Sequence, residues 1–259
     1  MRPPLRGGRM RCIPAPGAYN QLMQVVILAA GRGSRMRELT AHTPKPMLEV
    51  AGKTLLEHKF DNLPESIDEI ILIVGYLGSS IHDRFGGEYA GKRVLYIEQE
   101  NPTGGTADAL WQAASILKDR FLVLNGDDLY TKSDLEACVA RKEHWQLLVA
   151  PIDDTNGYAS VEMNKKHIVT SIREAGTHAG GPGYINTAAV VMDTRIFEHE
   201  KVPKAAGSSE YGLPQTMIVA AHALKVPVEG IVAHGWFPVT APEDLEKAAQ
   251  FLGEEAAEA

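Results

Sequence analysis

Cysteine is scarce in this sequence. The two residues present, Cys12 and Cys138, lie too far apart for a disulfide framework or a metal cluster. A reducing, cytoplasmic setting is the simplest expectation from that. Long apolar runs are missing too, so no segment is expected to cross a membrane as a helix. A basic excess is absent: 26 Lys and Arg face 33 Asp and Glu, a net charge of −7. That balance argues against non-specific nucleic-acid binding and leaves room for a nucleotide, whose charge a few local cations can meet. There is no internal repeat. No Ser/His or Cys/His arrangement suggests an activated nucleophile, and the nine histidines are scattered.

Acids are missing from residues 1–22, which carry Arg2, Arg6, Arg9 and Arg11 among prolines and glycines. With no periodic apolar pattern and no apolar leader core, this stretch reads as a flexible tail and not as a secretory signal. Met10 and Met23 are alternative starts, and Met23 directly precedes the first expected strand.

The stretch that organises the rest is Val25-Val26-Ile27-Leu28-Ala29-Ala30-Gly31-Arg32-Gly33-Ser34-Arg35-Met36, followed by Pro44-Lys45-Pro46-Met47. Its first part is a short, β-branched apolar run, the pattern of a buried parallel strand. It breaks into a loop with two glycines, where backbone N–H groups are open to approach. Arg32, Arg35 and Lys45 add positive charge. A strand feeding a glycine-rich cationic loop is suited to phosphate. It is not the dinucleotide fingerprint, because Met36 stands where the third glycine belongs, and no Gly-Lys-Ser/Thr makes it a P-loop.

Beyond this loop, apolar runs at 67–76, 93–99, 121–125 and 145–151 alternate with helical patterns at 53–63, 77–84, 103–119 and 135–144. Alternation of this kind predicts right-handed crossovers and a parallel sheet. From Tyr158 the pattern turns to strands at 158–163, 167–174 and 184–192, which predicts an antiparallel or mixed portion. A helix over 211–224, a strand over 226–234 and a last helix opening at Pro242 complete the expectation, with 253–259 frayed. The fold class is therefore α/β: one Rossmann-like three-layer α/β/α domain over 23–252 with a mostly parallel, mixed sheet.

Leu28-Ala29-Ala30-Gly31-x-Gly33-Ser34-Arg35-Met36 with Pro44-Lys45-Pro46-Met47 resembles the signature of the sugar-phosphate nucleotidylyltransferases. That resemblance implies the nucleotide-diphospho-sugar transferase fold. It also implies transfer of a nucleotidyl group from an NTP to a sugar 1-phosphate with release of pyrophosphate. Arg35 and Lys45 would then be the catalytic cations. Ala30, Gly31, Gly33 and Ser34 would hold phosphate. Gln99, with Gly104, Gly105 and Thr106, would read a pyrimidine base, UTP or dTTP. Alone, Gln99 is an ordinary surface amide.

Asp127, after an apolar strand, would hold Mg2+; the other reading of Asp127 or Asp128 is a helix N-cap. Asp128 is expected to cap or to face solvent. Glu174 and Asn186 would contact the sugar phosphate, or else are a solvated strand-end acid and a turn residue. Two departures stand out. Ala175 replaces the lysine that follows the glutamate in the family, so Arg173 or His178 is a candidate substitute. Pro238 replaces the second metal-binding aspartate in Trp236-x-x-Val239-x-x-Pro242-Glu243-Asp244-Leu245. No hexapeptide repeat follows. These departures leave open another phosphorylated alcohol as acceptor, by cytidylyl-type transfer, or a nucleotide-sugar-binding regulator. Homo-oligomerisation is left open; no nucleic-acid or membrane partner is expected.

Overall fold

The structure is a computed structural model and describes residues 23–258. The expected tail at 1–22 lies outside the described residues. The chain opens with β1 (Met23–Leu28), then short 3-10 turns at Ser34–Thr40 and Lys45–Met47. The small hairpin β2 (Glu49–Val50) and β3 (Lys53–Thr54) leads into α1 (Leu55–Asp61). Thr54 starts α1 at that residue by accepting from Glu57 N, while the Glu57 carboxylate accepts from Thr54 N, a reciprocal cap. β4 (Ile67–Val74), α2 (Gly78–Phe85), β5 (Glu88–Tyr89), β6 (Lys92–Glu98) and α3 (Gly105–Trp111) follow. Next come β7 (Arg120–Asn125), β8 (Asp128–Tyr130), α4 (Lys132–Ala140) and β9 (Trp145–Ile152). The second half contains β10 (Ser160–Met163), β11 (Val169–Arg173), β12 (Gly183–Asp193), α5 (Leu213–Leu224), β13 (Val228–Val232), β14 (Trp236–Pro238) and α6 (Asp244–Glu258).

β1 lies between β7 and β4, both parallel to it, and β6 runs parallel on the far side of β4. β12 joins antiparallel to β7 and carries the mixed portion formed by β9, β10, β11 and β13. Register explains the layers. Val25 pairs with Ile70 and Leu122, so side chains of one parity gather on one face. There Ile27, Leu72 and Leu124 meet Leu56 and Phe60 of α1, Ile81 of α2 and Leu135 of α4. Val26, Ile71 and Val123 point to the other face, against Leu110 of α3 and Met217 of α5. With both faces covered, the strands read as continuous apolar runs. A third, smaller core gathers Met36, Leu48, Leu55, Leu129 and Val239 with Ala248 of α6.

Two boundaries differ most from the expectation. α3 ends at Trp111, and Ala113, Ala114 and Ile116 continue as tight turns bonded to Leu110, Trp111 and Ala113. These turns still bury Ala113 and Leu117, so the apolar spacing looks helical past the true end. The last helix passes through Gly253 to Glu258, where fraying is expected. An interior glycine costs a helix only about 1 kcal/mol, and Phe251 and Leu252 pack against the third core just before it.

Candidate active site

A cleft of ≈ 500 Å³ opens beyond the carboxyl ends of β1, β6 and β7, where open α/β sheets place ligands. Its floor is the loop after β1. Gly33 adopts φ 65, ψ 31, and its carbonyl accepts from Met36 N at 2.9 Å and Thr40 Oγ1 at 3.0 Å. Met36 is fully buried in the third core, so it anchors the loop from below. Ala30, Gly31, Gly33, Ser34 and Arg35 line the cleft together with Lys45. A Cβ at Gly31 would meet no protein atom within 4 Å, so packing does not require glycine there.

Lys45 is buried and its Nζ lies 2.5 Å from Asp127 Oδ2, with the Asp127 side chain 33% exposed to the cleft. Gly126 permits this arrangement. Its N–H donates to Leu28 O at 2.9 Å, and a Cβ there would sit 2.9 Å from the same oxygen. The ends of β1 and β7 therefore close together, and Asp127 follows directly.

Asp128 corrects an expectation: it neither caps a helix nor faces solvent. It is buried and opens β8, whereas Asp127 sits in the bend before that strand and is partly exposed. Thr131 caps the next helix by accepting from Asp134 N. Asp128 Oδ2 accepts long hydrogen bonds from Tyr130 Oη at 3.3 Å and Asn125 Nδ2 at 3.4 Å. Burial, and then the charge of Asp127, pushes its carboxyl up to about 7. Lys59 of α1 lies beneath, fully buried, donating to Asp128 O and stacked 4.7 Å over the Tyr130 ring. Burial pushes its ammonium down to about 8, opposed by Asp128 and Asp127. Pro238 pairs with Asp128 in the β14–β8 ladder, so the carboxylate missing from the sequence is missing from the strand beside it.

On the base side, Gln99 is 8% exposed and lines the cleft. Its backbone N donates to Val74 O at 2.8 Å, and its Nε2 reaches Gly105 O at 3.5 Å. Gly104 and Gly105 have structural reasons to be glycine. A Cβ at Gly105, where φ is +84, would lie 2.5 Å from Tyr211 O, and one at Gly104 would lie 2.3 Å from Asp108 Oδ2. Gly104 is buried beside the cleft and is not among its lining residues. Thr106 lines it, but its hydroxyl accepts from Leu213 N at 2.9 Å and serves the start of α5.

Glu174 and Asn186 line the opposite wall. β12 bulges between Asn186 and Val190, where Ala188 takes φ 59 and its N donates to Asn186 Oδ1 at 2.9 Å. Glu174 Oε1 accepts from Gln215 Nε2 at 2.6 Å. Arg173 and His178 do not take the place of the lysine missing at Ala175. Arg173 pairs outward with Glu162 at 2.9 Å, and both His178 ring nitrogens contact carbonyls, of Ala179 and Tyr158. Neither lines the cleft, whereas Lys204 and Gln215 do. Neither of these two stands out in the sequence. Lys204 sits in a stretch without periodicity, and Gln215 reads as one more helical polar residue.

The sheet order and the cleft at its carboxyl edge define the nucleotide-diphospho-sugar transferase fold. It is shared with a solved structure titled a putative glucose-1-phosphate thymidylyltransferase from Bacillus anthracis, at TM-score 0.74 and 22% identity over 88% of this chain and 94% of that one. The nucleotidyl transferase family profile matches residues 24–255, and the chain belongs to that family. A bifunctional protein GlmU of Methanocaldococcus jannaschii is 30% identical over 89% of the chain, which spans only 54% of that relative's length. A UTP–glucose-1-phosphate uridylyltransferase AglF of Haloferax volcanii is 27% identical over 92% of this chain and 99% of its own. Guanylyl- and CTP-transferase names also occur among the matches.

Proposed function

We propose that the chain transfers a nucleotidyl group from an NTP to a sugar 1-phosphate. The observation that carries this reading is the convergence, in one cleft, of the Gly31–Ser34 loop, Arg35, the Lys45–Asp127 pair and Glu174. An oxygen of the acceptor phosphate attacks the α-phosphorus, the bond from that phosphorus to the bridging oxygen breaks, and pyrophosphate leaves. A phosphate monoester with a second pKa near ~6 is largely dianionic at neutral pH, so the protein need not remove a proton. Its task is positioning and charge stabilisation. Backbone N–H groups of Gly31 to Ser34 orient the phosphates. Arg35 and Lys45 offset the charge that grows around the α-phosphorus.

The donor set suits magnesium, which binds through one or two carboxylates and completes its shell with water and substrate phosphates. Asp127 would hold it, without help from the inward-turned Asp128 or from Pro238. When bound, the ion would neutralise phosphate charge. Among the described residues no group of three or more acids, histidines or cysteines forms a protein-only metal site.

For the base we propose UTP or dTTP, because the Gln99 amide offers both a donor and an acceptor to the O4 and N3–H edge of uracil or thymine. The test is mass analysis of products from UTP, dTTP, CTP, GTP and ATP, each with glucose 1-phosphate, N-acetylglucosamine 1-phosphate and inositol 1-phosphate. A nucleotide sugar formed best from UTP or dTTP is the expected result. A preference for GTP or ATP would overturn the base assignment, and absence of any product would overturn the activity.

A further inference from the structure

The proposed displacement brings two polyanions into one cleft, so the acceptor phosphate has to approach the triphosphate against like charge. Three cations line the cleft among the described residues: Arg35, Lys45 and Lys204. Arg35 and Lys45 belong to the donor loop, and Lys45 is already paired with Asp127. Lys204 stands apart from them in sequence, on a narrow hairpin over residues 202–212. Gly212 N donates to Val202 O at 3.0 Å, and Lys204 N donates to Glu210 O at 2.8 Å.

The base of that hairpin is fixed to the nucleotide side. Tyr211 N donates to Gly104 O at 2.8 Å, and Ala107 N donates to Tyr211 O at 3.0 Å. Lys201 pairs with Asp108 and stacks 5.0 Å over the Tyr211 ring. One step further out, among the described residues the Lys204 ammonium is held only by Glu210 at 3.7 Å, with its side chain 49% exposed. A fixed base with a loosely held cation above the cleft is suited to receiving an anion.

We propose that Lys204 binds the phosphate of the acceptor, exchanging Glu210 for that phosphate. This rests on the transfer reading above, and the experiment separates the two. The KM of wild type, Lys204→Met and Lys204→Arg is measured for glucose 1-phosphate, for inositol 1-phosphate and for the NTP. Binding of glucose 1-phosphate is measured in parallel by calorimetry, with melting temperature reporting folding. In Lys204→Met the KM for both acceptors should rise by about 10- to 100-fold, the scale for a lost hydrogen bond to a charged group. The KM for the NTP should stay put, and Lys204→Arg should recover most of the loss.

Acceptor KM within about twofold of wild type in a folded Lys204→Met would overturn Lys204 and leave the transfer reading intact. A penalty confined to one acceptor would mean that Lys204 reads the ring and not the phosphate, which also overturns the proposal. If the wild type turns over nothing, the transfer reading falls and calorimetry decides Lys204. Binding lost in Lys204→Met supports it; binding equal in both proteins, or absent from both, overturns it.

Discussion

Replacing Gly33 with alanine puts a methyl group 2.9 Å from Lys45 Cβ and 3.2 Å from Thr40 Cγ2, at a backbone φ of +65. The left-handed conformation alone costs a non-glycine residue about 1–2 kcal/mol. The close contact adds a forced shift of the Lys45 stem. A chain of this size loses roughly 2–4 °C of melting temperature per kcal/mol, so Gly33→Ala should melt about 2–8 °C lower.

Gly31→Ala meets no atom within 4 Å and no left-handed φ. At such a compatible site alanine stabilises by about 0.4–1 kcal/mol through the unfolded chain, so its melting temperature should hold or rise slightly. If the NTP phosphates lie against the loop backbone, the new methyl intrudes on them. A displacement of ~1 Å from a reactive geometry costs about 10²-fold in rate. Gly31→Ala should therefore be fully folded and about 10²-fold weaker in kcat/KM for the NTP. Differential scanning fluorimetry and pyrophosphate release measure the two effects separately. Normal turnover in Gly31→Ala would refute the phosphate-loop reasoning, as would a melting loss equal to that of Gly33→Ala.

Arg35→Ala and Lys45→Ala should each lower kcat by about 10²-fold or more with a smaller change in NTP KM, the scale for one preorganised charge stabiliser. Normal steady-state kinetics in both would make the loop a structural turn. Asp127→Asn should abolish turnover at every magnesium concentration, while Pro238→Asp, placed beside Asp128 in the ladder, should lower the magnesium needed for half-maximal rate. An active Asp127→Asn would move the metal elsewhere, and an inactive wild type rescued by Pro238→Asp would favour the regulator reading. Burial pushes the Cys138 thiol up to about 12, so at pH 8 almost no thiolate forms. In a Cys12→Ser background, thiol labelling should then be slow, rise with pH only well above 8, and accelerate with denaturant at the unfolding midpoint. Rapid labelling of the folded protein at pH 8 would contradict its place in the core.

The central strands were legible because β1, β4 and β7 are covered on both faces, which leaves a continuous apolar run and little else. The turn after β1 was legible because Gly33 needs its left-handed backbone locally. Gln99 and Asp127 were readable as cleft candidates because each comes within two residues of a strand's carboxyl end. What was hidden came from tertiary neighbours. Asp128 is turned inward onto a network with Tyr130 and Asn125, with Lys59 brought beneath it from α1. The β8–β14 pairing involves three residues from each strand, too few for period-two alternation to register. Gly104 and Gly105 owe their smallness to Asp108 and to Tyr211, the latter more than a hundred residues later. Lys204 and Gln215 reach the cleft only through the hairpin and α5.

Isotope exchange of labelled pyrophosphate into the NTP, with and without sugar 1-phosphate, tests direct in-line transfer most plainly. Label should enter the NTP only when magnesium and the sugar 1-phosphate are both present, because the reverse reaction needs the nucleotide sugar. Exchange without the acceptor would reveal a covalent nucleotidyl-enzyme, and no exchange under any condition would deny nucleotidyl transfer to this cleft.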